Sequence, residues 1–226
     1  MKITKKTGTR NTTIAAGRKV EYIVVHYSAG VTSKVGSAAN LAGWYATDAN
    51  NVSSDYTVDD ASLVQYNPDI ANRYTWHCGG SKYANKGGTL YGKCTNANSI
   101  GIEVCSNNAT GKITYPNDPK YTFTDAEITN LVALVKYLMN KYNIDADHVV
   151  RHYDVTGKVC PGVIGWNNED GWNDAKWQAF KKRLQPTVKK VYRVQVGAFS
   201  TKEAAQNYAG IVQNAGFSTI IVEDTK

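Results

Sequence analysis

The chain has 226 residues, of which 42% are apolar and 20% charged, as expected for a globular protein with one main domain and a small appendage. No stretch approaches the ~20 apolar residues of a membrane span, and the N-terminus has no apolar signal-peptide core, so we expect a chain made in the cytoplasm without membrane insertion. The net charge of +7, all of it before residue 191, favours an anionic partner; because no zinc-finger, RNP or helix-turn-helix signature is present, an acidic polymer is favoured over nucleic acid.

The first predicted elements are a strand, a helix and a hairpin. Residues 21–28, EYIVVHYS, are β-branched and aromatic enough for a central strand, and His26 lies near its end. Residues 37–47 predict a helix. Residues 53–67 predict a hairpin that turns at 59–62.

A second strand is predicted over 99–105, SIGIEVC, where apolar and other residues alternate. Side chains alternate between the two faces of a strand, so Glu103 is expected on the face opposite the apolar residues. Those apolar residues are Ile100, Ile102 and Val104.

The clearest helix is predicted over 124–144. Thr124 and Glu127 form a capping-box pattern, and an apolar stripe at spacings of three and four follows them. Residues 147–153 predict another strand, with His148 and His152 on one face, and residues 172–184 a second amphipathic helix.

The C-terminal region predicts a separate small unit. Residues 185–190 are interpreted as a linker because they contain proline and two lysines. Residues 191–226 then predict one β-α-β unit, in which Ser200 and Glu203 cap the helix and Gly216 ends it.

Together the elements predict an α/β fold in which helices flank a central mixed sheet, with the small β-α-β unit at the C-terminus. The predicted domains are 1–184 and 191–226, joined by 185–190.

Four cysteines are too few for a disulfide framework in a chain of this length. Cys78 and Cys94 could pair or form a second metal site, but a cytoplasmic origin favours free thiols. No role is predicted for Cys105.

The segment RHYDVTGKVCPG, residues 151–162, brings a histidine and a cysteine together at the end of an apolar strand. A catalytic zinc site needs three protein ligands and one open position, and His152, Cys160 and His26 can supply the ligands. Taken singly, a histidine at a strand end is more often a structural residue, so the spacing alone leaves both interpretations open.

Four motifs, YIVVHYSAG, WHCGG, NSIGIEVC and RHYDVTGKVCPG, resemble those of the zinc-dependent N-acetylmuramoyl-L-alanine amidases of the type-2 amidase and peptidoglycan recognition protein family. The resemblance covers residues 18–184 and implies one zinc ion per chain, bound by His26, His152 and Cys160. It implies that the domain cleaves the amide bond between the lactyl group of N-acetylmuramic acid and L-alanine of the stem peptide.

Further roles follow from the same resemblance. It implies that Glu103 is the general base and that Lys158 stabilises the oxyanion. It also implies that Trp76 and His77 contact the substrate, although a packed structural role for His77 is equally open. His148 matches no ligand of the family and is interpreted as structural. Asp55 replaces a histidine common in relatives, which leaves the stem-peptide preference open.

Two rival functions and the biological origin of the enzyme remain open. A cell-wall cysteine peptidase would use a Cys–His pair, but Cys160 precedes a proline, whereas such nucleophiles usually begin a helix. A non-catalytic peptidoglycan receptor of the family typically lacks the zinc cysteine. A wall-degrading domain without a signal peptide suggests a phage or prophage endolysin that reaches the wall after release, with a host autolysin or sporulation amidase as the alternative.

The tail VYRVQVGAFSTKEAAQNYAGIVQNAGF resembles the first half of a SPOR domain, a peptidoglycan-binding fold normally built from two β-α-β halves. The 36 residues after position 190 are too few for both halves. The resemblance implies binding to peptidoglycan. Either residues 191–226 take a second half from another chain, which would be self-association, or this chain is a shortened product of a longer one.

Overall fold

The computed structural model describes residues 2–47, 51–79, 87–185 and 194–223. The chain divides into two units, Met1–Gln185 and Pro186–Lys226. Most of the predicted linker and the start of the tail, residues 186–193, lie outside the described residues.

The described strands of the larger unit are β1 (Thr4–Lys5), β2 (Thr12–Ile14), β3 (Tyr22–Tyr27), β4 (Tyr56–Val58), β5 (Leu63–Gln65), β6 (Arg73–Thr75), β7 (Ser99–Val104), β8 (Asn107–Asn108), β9 (Tyr121–Thr122) and β10 (Val149–Arg151). Six of them form one sheet in the order β1-β5-β4-β7-β3-β10. All neighbouring strands of this sheet are parallel except β4 and β5, which form the predicted antiparallel hairpin. Two smaller antiparallel sheets pair β2 with β6 and β8 with β9.

Five α-helices lie within the described residues: α1 (Ser37–Tyr45), α2 (Asp125–Tyr142), α3 (His152–Thr156), α4 (Ala175–Leu184) and α5 (Lys202–Asn214). Short 3₁₀ helices occupy Asn96–Asn98, Ala146–His148 and Glu169–Gly171.

The predicted capping box begins α2. The Thr124 hydroxyl accepts a hydrogen bond from the Glu127 N–H, and the Glu127 carboxylate accepts one from the Thr124 N–H at 2.8 Å. Both donors would otherwise be unsatisfied at the helix end. The strands predicted at 21–28 and 99–105 and the helix predicted at 37–47 are confirmed to within two residues.

The sheet has helices on both faces, which confirms the predicted fold class. Side chains of β3 and β7 form the main core with α2 and α4, and the predicted stripe of α2 is buried there. On the opposite face, α1 packs against the residue that follows β7, through Ala38, Ala42, Tyr45 and Cys105.

The strand predicted over 147–153 is wrong at both ends. His148 lies in a 3₁₀ helix, because the Asp145 carboxylate accepts hydrogen bonds from the N–H groups of Asp147 and His148. His152 begins α3, because the Asp154 carboxylate accepts from the Arg151 N–H at 2.8 Å and so caps a helix there. The two histidines therefore do not share a strand face.

The C-terminal unit contains α5 as its regular element. The described residues 194–199 and 217–223 form no strand, so the predicted β-α-β pattern is not seen in them. The cap of α5 is also one residue later than predicted, since the Thr201 hydroxyl, rather than a Ser200/Glu203 box, accepts from the Ala204 N–H. Gly216 has a φ of 90° and follows the helix end as predicted.

The strand register places the candidate site. β3 and β7 pair in parallel so that His26 lies beside Glu103, and β10 pairs with β3 so that Arg151 lies beside Val25. His152 follows β10 at the same edge of the sheet. The carboxyl ends of parallel strands are the usual position of binding sites in α/β folds.

Candidate metal centre and catalytic groove

Three side chains that can bind a metal meet at this edge of the sheet. His26 lies at the end of β3, His152 begins α3, and Cys160 follows α3 after a short loop. One ligand atom from each lies within 4.8 Å of the others, and the Cys160 Sγ is 3.6 Å from the His26 Nδ1. All three side chains are buried. The structure thus brings together the three residues that the sequence predicted as ligands.

The turn after α3 allows Cys160 to face the histidines. Gly157 adopts a φ of 75° and its N–H bonds back to the Tyr153 carbonyl, which ends the helix. The Tyr153 N–H in turn donates to the Cys160 carbonyl at 2.9 Å. A left-handed residue at this position is what closes the loop over the site.

Both histidines carry a lone pair toward the cluster. The Nδ1 atom of His152 is buried and has no hydrogen-bond partner among the described residues. Burial lowers the pKa of His152 to about 3, and it lowers the pKa of His26 well below the usual value. Both rings are therefore neutral, which is the form that binds metal ions.

Glu103 lies beside this cluster on β7. One of its carboxylate oxygens, Oε2, is buried and without a hydrogen-bond partner in the part of the chain that the structure describes. Burial raises the pKa of the carboxyl group to about 8, opposed by the positive charge of Lys158. A carboxyl group with its pKa near neutrality is suited to exchange protons with a substrate or a water molecule.

A groove of about 490 Å³ opens over these groups. Lys158 is exposed and lines it together with Glu103 and the three candidate ligands. Trp76 lines the groove and is 37% exposed. Its indole N–H donates a hydrogen bond to the Thr13 hydroxyl at 2.9 Å. Further apolar lining comes from Leu41, Trp44 and Val52. The groove therefore combines an aromatic and aliphatic wall with a polar floor.

His77 also lines the groove, but protein groups engage both of its ring nitrogens. Nδ1 is 3.1 Å from the His26 Nε2, and Nε2 is 3.1 Å from the Ser99 hydroxyl. Its predicted contact with substrate remains a prediction.

Two other residues discussed from the sequence lie outside the groove. His148 pairs with Asp145 at 2.7 Å on the surface, in line with a structural role. Asp55 is fully buried and accepts hydrogen bonds from Asn67, Thr75 and the Gly101 N–H. Asp55 thus joins β4 to neighbouring segments and does not face the groove.

All four cysteines have free thiols and are buried. Cys78 and Cys94 lie in one buried apolar cluster, whereas Cys105 packs under α1. No second group of metal-binding side chains occurs among the described residues.

Sequence reasoning missed the residues that support the ligands. Asn96, Ser99 and Gly101 contact the Trp76–Cys78 segment, yet polar residues of this kind are common in loops and strands. The one available signal was Gly101, because a glycine inside a strand often marks a close approach of another group.

Comparisons with known proteins agree with this geometry. The family model described as N-acetylmuramoyl-L-alanine amidase matches residues 16–163, and the SPOR domain model matches residues 175–226. The second match includes α4, although Trp177, Phe180 and Leu184 of that helix lie in the main core of the larger unit.

Curated relatives include the N-acetylmuramoyl-L-alanine amidases XlyB and CwlH of Bacillus subtilis (strain 168). XlyB is 31% identical over 74% of this chain and 44% of its own length. CwlH is 32% identical over 67% of this chain and 50% of its own length. The chain therefore spans about half the length of the curated relatives it matches.

Among solved structures, a mutant endolysin from Bacillus subtilis superposes with a TM-score of 0.57 at 29% identity, covering 81% of this chain and 99% of that one. The catalytic domain of XlyA gives a TM-score of 0.57 at 26% identity, covering 82% and 100%. No described helix has the length and hydropathy needed to cross a membrane. A family model matches more than half of the chain's residues, and the candidate metal-binding cluster lies inside that match, so the chain belongs to the N-acetylmuramoyl-L-alanine amidase family.

Proposed function

We propose that the protein is a zinc-dependent amidase that cleaves the bond between the lactyl group of N-acetylmuramic acid and L-alanine of the stem peptide. The observation that carries the proposal is the buried cluster of His26, His152 and Cys160 beside Glu103, under a groove open to a polymer.

The three donors suit zinc. Two neutral imidazoles and one thiolate are a known catalytic ligand set, and this set leaves a fourth position open. The buried, unpartnered Nδ1 of His152 supports the assignment, because a lone pair buried without a partner is costly. We infer one zinc ion per chain, which when bound supplies a Lewis acid that polarises a carbonyl group and acidifies water.

Glu103 performs the proton transfers in this proposal. Its carboxylate accepts a proton from the attacking water, whose oxygen forms a bond to the lactyl carbonyl carbon. The same carboxyl group then gives the proton to the alanine nitrogen as the C–N bond breaks. The products are a free lactyl carboxylate and a stem peptide with a free amino terminus.

Lys158 acts on the other side of the carbonyl group. Its side chain lines the groove, and its positive charge lowers the pKa values of Glu103 and His152. A cation placed there stabilises the negative charge that develops on the carbonyl oxygen. In hydrolases, loss of one such donor costs roughly 3–4 kcal/mol of transition-state stabilisation.

Two rival functions are less well supported by the geometry. A cysteine peptidase needs a thiolate that reaches its substrate, but only 3% of the surface of Cys160 is exposed and burial raises its pKa to about 12. A receptor without activity needs neither Cys160 nor an unpartnered carboxylate on Glu103.

The biological setting follows from the relatives and from the second family match. Endolysins among the structural neighbours support a phage or prophage enzyme, with a host autolysin or sporulation amidase as the alternative. The SPOR match supports attachment to peptidoglycan through the C-terminal unit, and the net charge of +7 suits an anionic wall. In this setting the protein acts on the cell wall.

Mass analysis of digested peptidoglycan tests the proposed reaction. We expect new stem peptides with a free N-terminal L-alanine and glycan chains that retain an unmodified lactyl group. Chelation of the metal should abolish the digestion, and zinc should restore it. Products cut within the glycan or within the stem peptide would refute the proposal, as would full digestion after zinc removal.

A further inference from the structure

The segment Trp76–His77–Cys78 follows β6 and contacts His26, one of the two candidate metal-binding histidines. The His77 ring meets the His26 ring edge-on, with 5.2 Å between their centroids and an interplanar angle of 89°. This contact lies on the side of His26 away from Cys160, because Nδ1 of His26 faces the Cys160 sulfur and Nε2 faces His77.

A chain of hydrogen bonds fixes the proton positions along this contact. The Ser99 hydroxyl donates to the Thr95 carbonyl at 2.5 Å, so its oxygen is left to accept from the His77 Nε2–H. In the neutral form of the His77 ring, Nδ1 then carries a lone pair, which accepts from the His26 Nε2–H at 3.1 Å. The Nδ1 of His26 consequently carries no proton, and its lone pair faces the cluster.

His152 lies on the other side of His26, with 4.8 Å between the two ring centroids and an interplanar angle of 68°. Its Nδ1 is buried and has no hydrogen-bond partner among the described residues. The contact with His77 therefore concerns His26 alone.

The segment is itself held in place. The Asn96 side-chain oxygen accepts from the N–H groups of His77 at 3.1 Å and Cys78 at 2.9 Å. Gly101 of β7 leaves the space for the His77 ring, since a Cβ at that position would lie 2.5 Å from the His77 Cγ. A side chain there would force the ring or the strand to move.

We infer that His77 is a positioning group that holds His26 in the form that binds metal through Nδ1. The inference rests on the proposed zinc site but concerns a different set of residues. Partners of this outer kind fix the orientation and tautomer of a metal-binding histidine, and their loss typically weakens metal affinity by about 10–100-fold. His77 thereby acts through His26, without contact with the reacting atoms.

Zinc affinity, measured by competition with a chromophoric chelator, tests this inference. His77→Phe keeps a ring of similar size but removes the acceptor, so we expect affinity about 10–100-fold weaker than in the original chain. His77→Asn can place its side-chain oxygen near the position of Nδ1 and should recover most of the loss. His148→Asn is the matched control, because it removes a histidine outside the site, and its affinity should be unchanged.

The proton positions are tested on the metal-free protein by nitrogen-15 NMR of the imidazole rings. We expect His26 to be protonated on Nε2 in the original chain and to become a mixture of tautomers in His77→Phe. Protonation of His26 on Nδ1 in the original chain would overturn the inference. If the original chain shows the expected tautomer of His26 but binds no zinc, the proposed function is overturned, whereas the orientation of His26 by His77 is not.

A second variant covers the case in which His77→Phe does not fold. Ser99→Ala retains His77 but removes the acceptor for its Nε2–H, so His77 is free to protonate either nitrogen. We expect a smaller loss of zinc affinity than in His77→Phe and a mixed tautomer at His26. The inference would be overturned if a folded His77→Phe variant bound zinc as tightly as the original chain. It would also be overturned if a folded Ser99→Ala variant changed neither the zinc affinity nor the tautomer of His26.

Discussion

Helices α2 and α5 are predicted by the same kind of pattern, and both are capped by a threonine hydroxyl, yet they lie in different surroundings. Helix α2 buries its apolar stripe against the central sheet, whereas no residue of α5 is buried. A 3–4 periodicity predicts that a helix has an apolar face, and only a partner element decides whether that face becomes core. The helices of the two units therefore have similar sequence patterns but differ in how much of their apolar face is buried.

The two units also differ in chemistry. The three candidate ligands, Glu103 and Lys158 all lie in the larger unit, where parallel strands end together. The C-terminal unit offers apolar side chains on α5 and beyond it, including Ile211 and Phe217, which are 65% and 67% exposed. The proposed reaction therefore belongs to the first unit, and we propose attachment to the wall for the second.

Replacement of the candidate general base should produce the largest change in rate. Glu103→Gln removes the proton acceptor but keeps the size of the side chain, so turnover on soluble wall fragments should fall by about 10²–10⁴-fold. The zinc content should be unchanged. Glu203→Gln in α5 is the control and should leave turnover as it was. Near-normal turnover in Glu103→Gln would remove this residue from the mechanism.

Truncation of one apolar side chain in each helix should separate the two units in stability. Leu134 of α2 is fully buried, so Leu134→Ala should lower the free energy of unfolding of the larger unit by about 2–5 kcal/mol. Ile211→Ala in α5 should change it by less than about 0.5 kcal/mol. Denaturant unfolding followed by tryptophan fluorescence measures both. Equal losses would mean that α5 contributes to the same core.

Removal of the helix caps should give a smaller difference of the same kind. Thr124→Ala deletes the hydroxyl that caps α2, and we expect a loss of about 1 kcal/mol from the free energy of unfolding. Thr201→Ala deletes the cap of α5 and should leave unfolding of the larger unit unchanged. A comparable loss in both variants would contradict the separation of the two helices.

Much of this arrangement could be predicted from the sequence, because the central strands and α2 have strong patterns. Alternation places Glu103 on the face opposite the core, and the strand register then brings it beside His26. The candidate metal-binding cluster could not be predicted from pattern alone, because its three members are separated along the chain and meet only in the folded structure. The family resemblance supplied that link.

The errors have local physical causes. The strand predicted through His152 ends at Arg151 because the Asp154 carboxylate caps a helix there. The alternation of apolar and polar residues used to predict the strand does not detect a capping carboxylate three residues after Arg151. Ser200 and Thr201 are adjacent hydroxyl residues, so composition could not decide which one caps α5. The support of His26 by His77 depends on Gly101, whose missing side chain makes room for the ring.

Deletion of the C-terminal unit should have the smallest effect on the reaction itself. The cut belongs after Gln185, because Leu184 of α4 is buried in the main core and an end near Lys182 would remove it. We expect residues 1–185 to cleave soluble muropeptides at an unchanged rate and to be retained less by intact walls in a pull-down. Light scattering on both lengths reports any self-association. Equal retention and no change in association would show that the tail contributes neither.

The central claim is that His26, His152 and Cys160 hold one zinc ion, and the metal content of purified protein tests it most directly. We expect one zinc per chain in the original protein and in Glu103→Gln, and none in Cys160→Ala, because three ligands leave no redundancy. Circular dichroism should show that Cys160→Ala remains folded. One equivalent of zinc in a folded Cys160→Ala variant would contradict the account.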